Sequence, residues 1–98
     1  MFVGVCRLTM HLPASASLKD KRQVVKSVLA RVRNQFEVAA AEVDSQDMWQ
    51  LATLGLACVS NDADHAEEVL EAARRYIEES RPDVVVTEAE IEVLPFDG

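Results

Sequence analysis

The sequence predicts an α+β fold in which two helices cover one face of a four-stranded antiparallel sheet. Four segments are predicted as strands, the first and last from two-residue alternation and the third from a run that is nearly apolar on both faces, and two segments show apolar residues at helical spacing. Their order is β-α-β-β-α-β, and two split β-α-β units in this order place both helices on the same side of one sheet. With 98 residues, 49% of them hydrophobic, residues 1–98 are expected to form a single domain.

The first strand is predicted at Phe2–Leu12 and ends at Pro13, which cannot donate to a sheet ladder. Ser17 is predicted to cap the first helix, with Asp20 at the position of a capping-box acid. Apolar residues follow at helical spacing and predict the buried stripe of this helix. They are Leu18, Val25, Val28, Leu29, Val32 and Phe36.

The second and third strands are predicted at Val38–Asp44 and Trp49–Val59. A second helix follows the capping residues that begin at Ser60 and ends at Pro82. The last strand is predicted at Val84–Leu94. Its inward residues are expected to be Val85, Thr87, Ala89, Ile91 and Val93, and its outward residues Glu88, Glu90 and Glu92. The whole arrangement predicts a ferredoxin-like sandwich.

One face of such a sheet is not covered by helices, and here that face is predicted to be apolar. Large exposed apolar patches mark interfaces, so we expect a homo-oligomer, unless a loop or the C-terminal tail covers the face. The expected interface residues are Val3, Val5, Trp49, Leu51 and Val59. One tryptophan is too few for the base stacking used by RNA-recognition domains of this topology.

Charge is distributed unevenly along the chain. Residues 1–36 carry seven basic side chains and one acid, whereas residues 37–98 carry three basic side chains and sixteen acids. A basic sector on the first helix is therefore a candidate surface for an anionic partner such as RNA or the ribosome. Its candidate residues are Lys19, Lys21, Arg22, Lys26 and Arg33. The alternative is a solvated face whose cations pair with acids of the same molecule or of a neighbouring subunit.

The sequence offers no convincing catalytic, metal or cofactor site. Cys6 and Cys58 are expected to be buried thiols, with a redox pair as the alternative, and His11 and His65 have no partner at metal-ligand spacing. Glu42 is expected to pair with a cation of the first helix or of a partner subunit, or to act as a catalytic acid. No apolar run is long enough to span a membrane and no signal peptide is apparent, so we expect a cytoplasmic protein.

Four motifs resemble the YlxP-like family of small bacterial proteins, a domain of unknown function. They are S-L-K-x-K-R-x-V-V-K-S at Ser17–Ser27, A-E-V at Ala41–Val43, the isolated Trp49, and L-G-x-A-x-V-S-N-D at Leu54–Asp62. The resemblance implies a ferredoxin-like fold and no known catalytic residues. Since some members are encoded beside translation and ribosome-maturation factors, it also implies a role linked to RNA. The cations that fall within the first motif are Lys19, Lys21, Arg22 and Lys26.

Two functions follow as hypotheses. The first is a non-enzymatic, oligomeric module that docks an anionic partner through the first helix. The second is a homo-oligomeric module that binds a small molecule or a protein and has no nucleic-acid role.

Overall fold

The predicted order of elements is confirmed. The computed structural model describes residues 1–97, and its elements are β1 (Phe2–His11), α1 (Leu18–Gln35), β2 (Ala39–Asp44), β3 (Leu51–Ser60), α2 (Ala63–Ser80) and β4 (Val85–Pro95). All strand pairs are antiparallel, in the order β2-β3-β1-β4. Both helices pack on one face, which is the ferredoxin-like arrangement.

The core lies between the helices and the side of the sheet that carries the even-numbered residues of β1 and β3. Leu8, Met10 and Leu54 are fully buried there. From the helices, Val32 and Leu70 are buried to the same degree. Alternation along the strands therefore separates a covered face from an open face, as expected for a half-buried sheet.

Helix α2 approaches β1 closely at Gly4. A Cβ atom at this position would lie 2.8 Å from Leu70 Cδ1 and 3.2 Å from Cys58 Sγ. Because real Cβ atoms do not make contacts this short with close-packed neighbours, glycine sets the distance between α2 and the sheet.

Both helices begin at capping side chains. The hydroxyl of Ser17 accepts a hydrogen bond from the Asp20 amide at 3.1 Å, and Asp62 accepts one from the Asp64 amide at 3.0 Å. The Asp20 carboxylate accepts from the amide of Ala16, one residue before the cap. The predicted cap of α1 is therefore confirmed, with the acid reaching one residue further back than in a standard capping box.

The predicted strand bounds lie within two residues of the observed ones, and the differences in β3 and β4 change what is exposed on the open face. β3 begins at Leu51, and Trp49 lies in the turn before it with 52% of its surface exposed. In β4 the pairing with β1 shifts at Thr87, so that Val86 lies opposite the buried Met10. The prediction that Val85 faces inward is wrong, because the extra residue of this β-bulge turns Val85 to the open face, where it is 49% exposed.

Candidate binding surfaces

Lys21 belongs to the core and not to the exposed basic sector. Only 1% of its side chain is exposed, and Nζ lies 2.8 Å from Glu42 Oε2 on β2, whose side chain is 19% exposed. Nζ also donates a hydrogen bond to the backbone carbonyl of Ser45. The contact with Glu42 is a close charge pair without the alignment of a hydrogen bond, and Glu42 Oε2 has no hydrogen-bond partner among residues 1–97.

This burial corrects the prediction that Lys21 contributes to binding an anion, because a residue with no exposed surface has no access to a visiting ligand. The expectation that Glu42 pairs with a cation of the first helix is confirmed. A signal was present in the sequence. Lys21 stands three residues after Leu18 and four before Val25, inside the apolar stripe of the helix.

The other four candidate cations of α1 are exposed, and we call them the basic stripe: Lys19, Arg22, Lys26 and Arg33. Among the described residues, none of them lies within ion-pair distance of a carboxylate. Arg33 donates to the backbone carbonyl of Ala40 on β2, which is a neutral partner and does not compensate the positive charge. At 1.5 Å per residue the stripe extends about 21 Å along the helix. The positive field of the stripe is therefore not neutralised at contact distance.

The open face of the sheet carries apolar residues at both ends and charges in the middle. At one end Val3 lies opposite Val59, which is 67% exposed, with Val5 next to them. Leu51 and the nearby turn residue Trp49 lie at the other end. The five residues predicted as an oligomer interface therefore form two groups rather than one continuous patch.

Sequence reasoning missed the ion pair between these ends. Arg7 on β1 reaches over β3 to Asp44 on β2, with 3.3 Å between Nη2 and Oδ2, and both side chains are well exposed. Gly55 lies in the β3 position opposite Arg7, where it has no side chain to obstruct the crossing. A shallow trough of about 820 Å³ opens here, with Val43 at one side and Glu90 at the other. Only the register of three strands brings these residues together.

The two cysteines are free and buried. Burial raises the pKa of the Cys6 thiol to about 11, with a further rise from the charge of Glu71 and an opposing effect of Arg74. Burial also raises the pKa of the Cys58 thiol. Since the thiolate is the reactive form, both side chains have the character of small core residues.

Within residues 1–97 there is no group of three histidine, cysteine or acidic side chains arranged to hold a metal ion. In the same part of the chain, neither helix has the length and apolarity needed to cross a membrane.

Residues 3–91 match the model of a family described as a protein of unknown function, DUF503. The chain belongs to the DUF503 family. It is 37% identical over 82 residues to the uncharacterised protein YlxP of Bacillus subtilis (strain 168), a match that covers 84% of this chain and 88% of YlxP. The resemblance inferred from the four sequence motifs is therefore confirmed.

The DUF503 chain is also similar to a solved structure of known fold. A designed protein with a ferredoxin fold superposes with a TM-score of 0.54 over 96% of this chain and 83% of the designed protein, at 15% sequence identity. At this identity the likeness concerns the fold alone. The two DUF503 motif residues Lys21 and Glu42 have a structural role here, whereas Lys19, Arg22 and Lys26 of the same segment remain exposed.

Proposed function

We propose that this DUF503 protein is a non-enzymatic binding module that docks structured RNA, free or within a ribosomal particle, through the basic stripe of α1. The observation that carries the proposal is the exposure of four aligned cations that have no carboxylate partner within residues 1–97. Phosphates are the natural counter-charge for such a surface, and the net charge of −7 disfavours contact with RNA elsewhere on the molecule.

Recognition on this surface would read shape and phosphate position rather than base identity. Among the described residues, no Phe, Tyr or Trp lies on the strands of the open face, and Trp49 lies in a turn at the end of the sheet. Phosphate contacts orient a protein on its nucleic acid and give a strong dependence on salt. The buried thiols Cys6 and Cys58 agree with the reducing cytoplasm as the compartment we propose.

Filter binding of a structured RNA at low salt tests this function. We expect the parent protein to bind with an affinity that falls steeply with salt, and Lys19→Glu/Arg22→Glu/Lys26→Glu to abolish retention while leaving the circular dichroism spectrum unchanged. Each phosphate contact that is lost should reduce the slope of log K against log[salt] by about one.

The matched control variant has the same net charge as the variant it is compared with. Arg22→Glu/Lys26→Glu is compared with Arg31→Glu/Arg75→Glu, which changes two exposed cations outside the stripe. The first pair should lose binding and the second should retain most of it. Absence of salt-sensitive RNA binding by the parent protein, or equal loss in both pairs, contradicts the proposal.

A second candidate is self-association through the open face, without a role for nucleic acid. Val3, Val5 and Val59 form one apolar end of this face, and Trp49 and Leu51 mark the other. Val43 and Leu94, which sequence reasoning did not include, add to its exposed apolar surface. A two-fold contact between copies would remove this surface from water.

A further inference from the structure

The outer edge of β4 is an unpaired strand edge in the described part of the chain, and it is the longer of the two edges of the sheet. β4 has 11 residues and the opposite edge strand β2 has 6. On β2, the ladder is interrupted by a bulge at Val43, and Arg33 binds the carbonyl of Ala40. Within residues 1–97, β4 pairs only with β1. Its outward amide and carbonyl groups therefore form a template on which another strand can pair.

Acidic and apolar side chains alternate along this edge. Glu88, Glu90 and Glu92 project from the open face, and all three are exposed. None of them has an ion-pair partner in the described part of the chain; Arg7, which lies directly opposite Glu90, extends away to Asp44. The edge therefore presents a row of three uncompensated negative charges.

Two β4 strands from separate copies pair unfavourably in the central antiparallel registers. In an antiparallel pairing of two β4 strands centred on Glu90, the Glu90 residues of both copies face each other and Glu88 faces Glu92 of the second copy. If the centre of the pairing moves by one residue, to Ala89 or Ile91, Glu90 of each copy faces Glu88 or Glu92 of the other copy. Like charges directly across a strand pair destabilise it.

We propose that the outer edge of β4 binds, by strand addition, an extended segment of another protein in which Lys or Arg alternates with aliphatic residues. Paired strands bring opposing Cβ atoms to about 5 Å, so every second residue of the segment would lie beside Glu88, Glu90 or Glu92. The residues between them would lie beside Ala89, Ile91 and Val93, on the helix side of the sheet. Main-chain hydrogen bonds supply affinity, and the alternating charge supplies selectivity.

This inference does not depend on RNA binding, since it uses the sheet edge and not the basic stripe. The probe is a capped synthetic peptide, Lys-Val-Lys-Val-Lys-Val-Lys, added to the full chain at about 150 mM salt, where the Debye length is about 8 Å. We expect saturable binding, with nuclear magnetic resonance shifts and slowed amide exchange at alternate residues of β4. The same peptide with N-methyl groups on alternate residues should bind at least about tenfold more weakly, because it lacks the donors for pairing.

Charge reversal provides the decisive comparison. Glu88→Lys/Glu90→Lys/Glu92→Lys should bind the lysine peptide at least about tenfold more weakly and should gain binding to Glu-Val-Glu-Val-Glu-Val-Glu. The matched control Glu67→Lys/Glu68→Lys/Glu79→Lys makes the same change in net charge on exposed positions of α2 and should bind as the parent does. If the reversed variant does not fold, the three glutamine substitutions replace it.

Three outcomes overturn the proposal: no binding of the lysine peptide by the parent, equal binding of the N-methylated peptide, or equal loss in the α2 control. Amide shifts confined to another surface of the protein also overturn the proposal. A failed RNA experiment leaves each of these results unaffected.

Discussion

At the scale of single residues, Lys21 and Glu42 form the least exposed ion pair of residues 1–97, and both charges have been removed wholly or largely from water. The cost of desolvating them is offset by their mutual attraction and by the hydrogen bond from Lys21 to Ser45. Removing one partner leaves the other charge without compensation. This asymmetry leads to a direct prediction.

Lys21→Met should lower the free energy of unfolding by about 3 kcal/mol, because it keeps the volume of the methylene groups but leaves the Glu42 carboxylate without its cation. Lys21→Met/Glu42→Leu should recover most of that loss. The measurement is urea denaturation of both variants. As a control, Arg81→Met breaks the more exposed ion pair with Asp83 and should cost less than about 1 kcal/mol. A Lys21→Met variant as stable as the parent contradicts the assignment of a buried pair.

The same residue shows how far the sequence predicts the site. The spacing of Lys19, Arg22, Lys26 and Arg33 predicted one exposed sector, since helix geometry alone fixes their directions. The charge of Lys21 predicts that it belongs with them, whereas its position in the apolar stripe of the helix predicts burial. Its partner Glu42, however, lies 21 residues away, and no local pattern encodes that tertiary contact.

At the scale of elements, the packing of α2 on β1 depends on the absence of a side chain at Gly4. The neighbours are the buried Leu70 and Cys58, so a side chain displaced by a Cβ at Gly4 would have to move within the core. Gly55 has an equally close neighbour, Val43, but that side chain is 52% exposed. An added Cβ would lie similarly close to a neighbouring side chain at both glycines, but only the neighbour of Gly55 can move toward solvent.

Gly4→Ala should destabilise the protein by about 1–3 kcal/mol, as overpacked cores do. Gly55→Ala should cost less than about 1 kcal/mol, because Val43 can turn toward solvent and alanine restricts the unfolded chain. Thermal unfolding of the two variants under the same conditions checks the difference. Equal melting temperatures would mean that α2 does not constrain Gly4.

The strands also show what alternation predicts and what it does not. β1 and the covered face of β3 were predicted from period two alone, since no irregularity interrupts them. In β4 the residue Thr87 adds one position opposite β1, and every assignment before it changes face. Residues 84–86 are all valine, so the sequence is equally apolar with or without the bulge, and the hydrophobic pattern could not predict it.

At the scale of the whole molecule, positive charge is concentrated on α1, and the opposite side of the sheet carries Asp44 and the glutamates of β4. A contact between two open faces would therefore bring apolar ends together and also approach carboxylates of both copies. Self-association, if it uses this face, depends on the apolar ends outweighing that repulsion.

Light scattering of the parent protein should give the mass of a dimer or larger assembly under the second candidate function. Val59→Asp places a charge in the exposed apolar end and should shift the mass to that of one chain, about 10.8 kDa. Ala30→Asp, at an exposed position of α1, should leave the mass unchanged. A monomeric parent at high protein concentration removes the open face as an oligomer interface.

The tether from Lys21 to the carbonyl of Ser45 joins helix α1 to the turn that contains Trp49. Lys21 lies between Lys19 and Arg22 of the basic stripe in the sequence, so this contact connects the turn to the segment of α1 that carries the stripe. Trp49 is the only indole in the chain and is half in contact with solvent. We expect the fluorescence emission of Trp49 to change when a macromolecule docks on α1, and a titration without any added label measures this change.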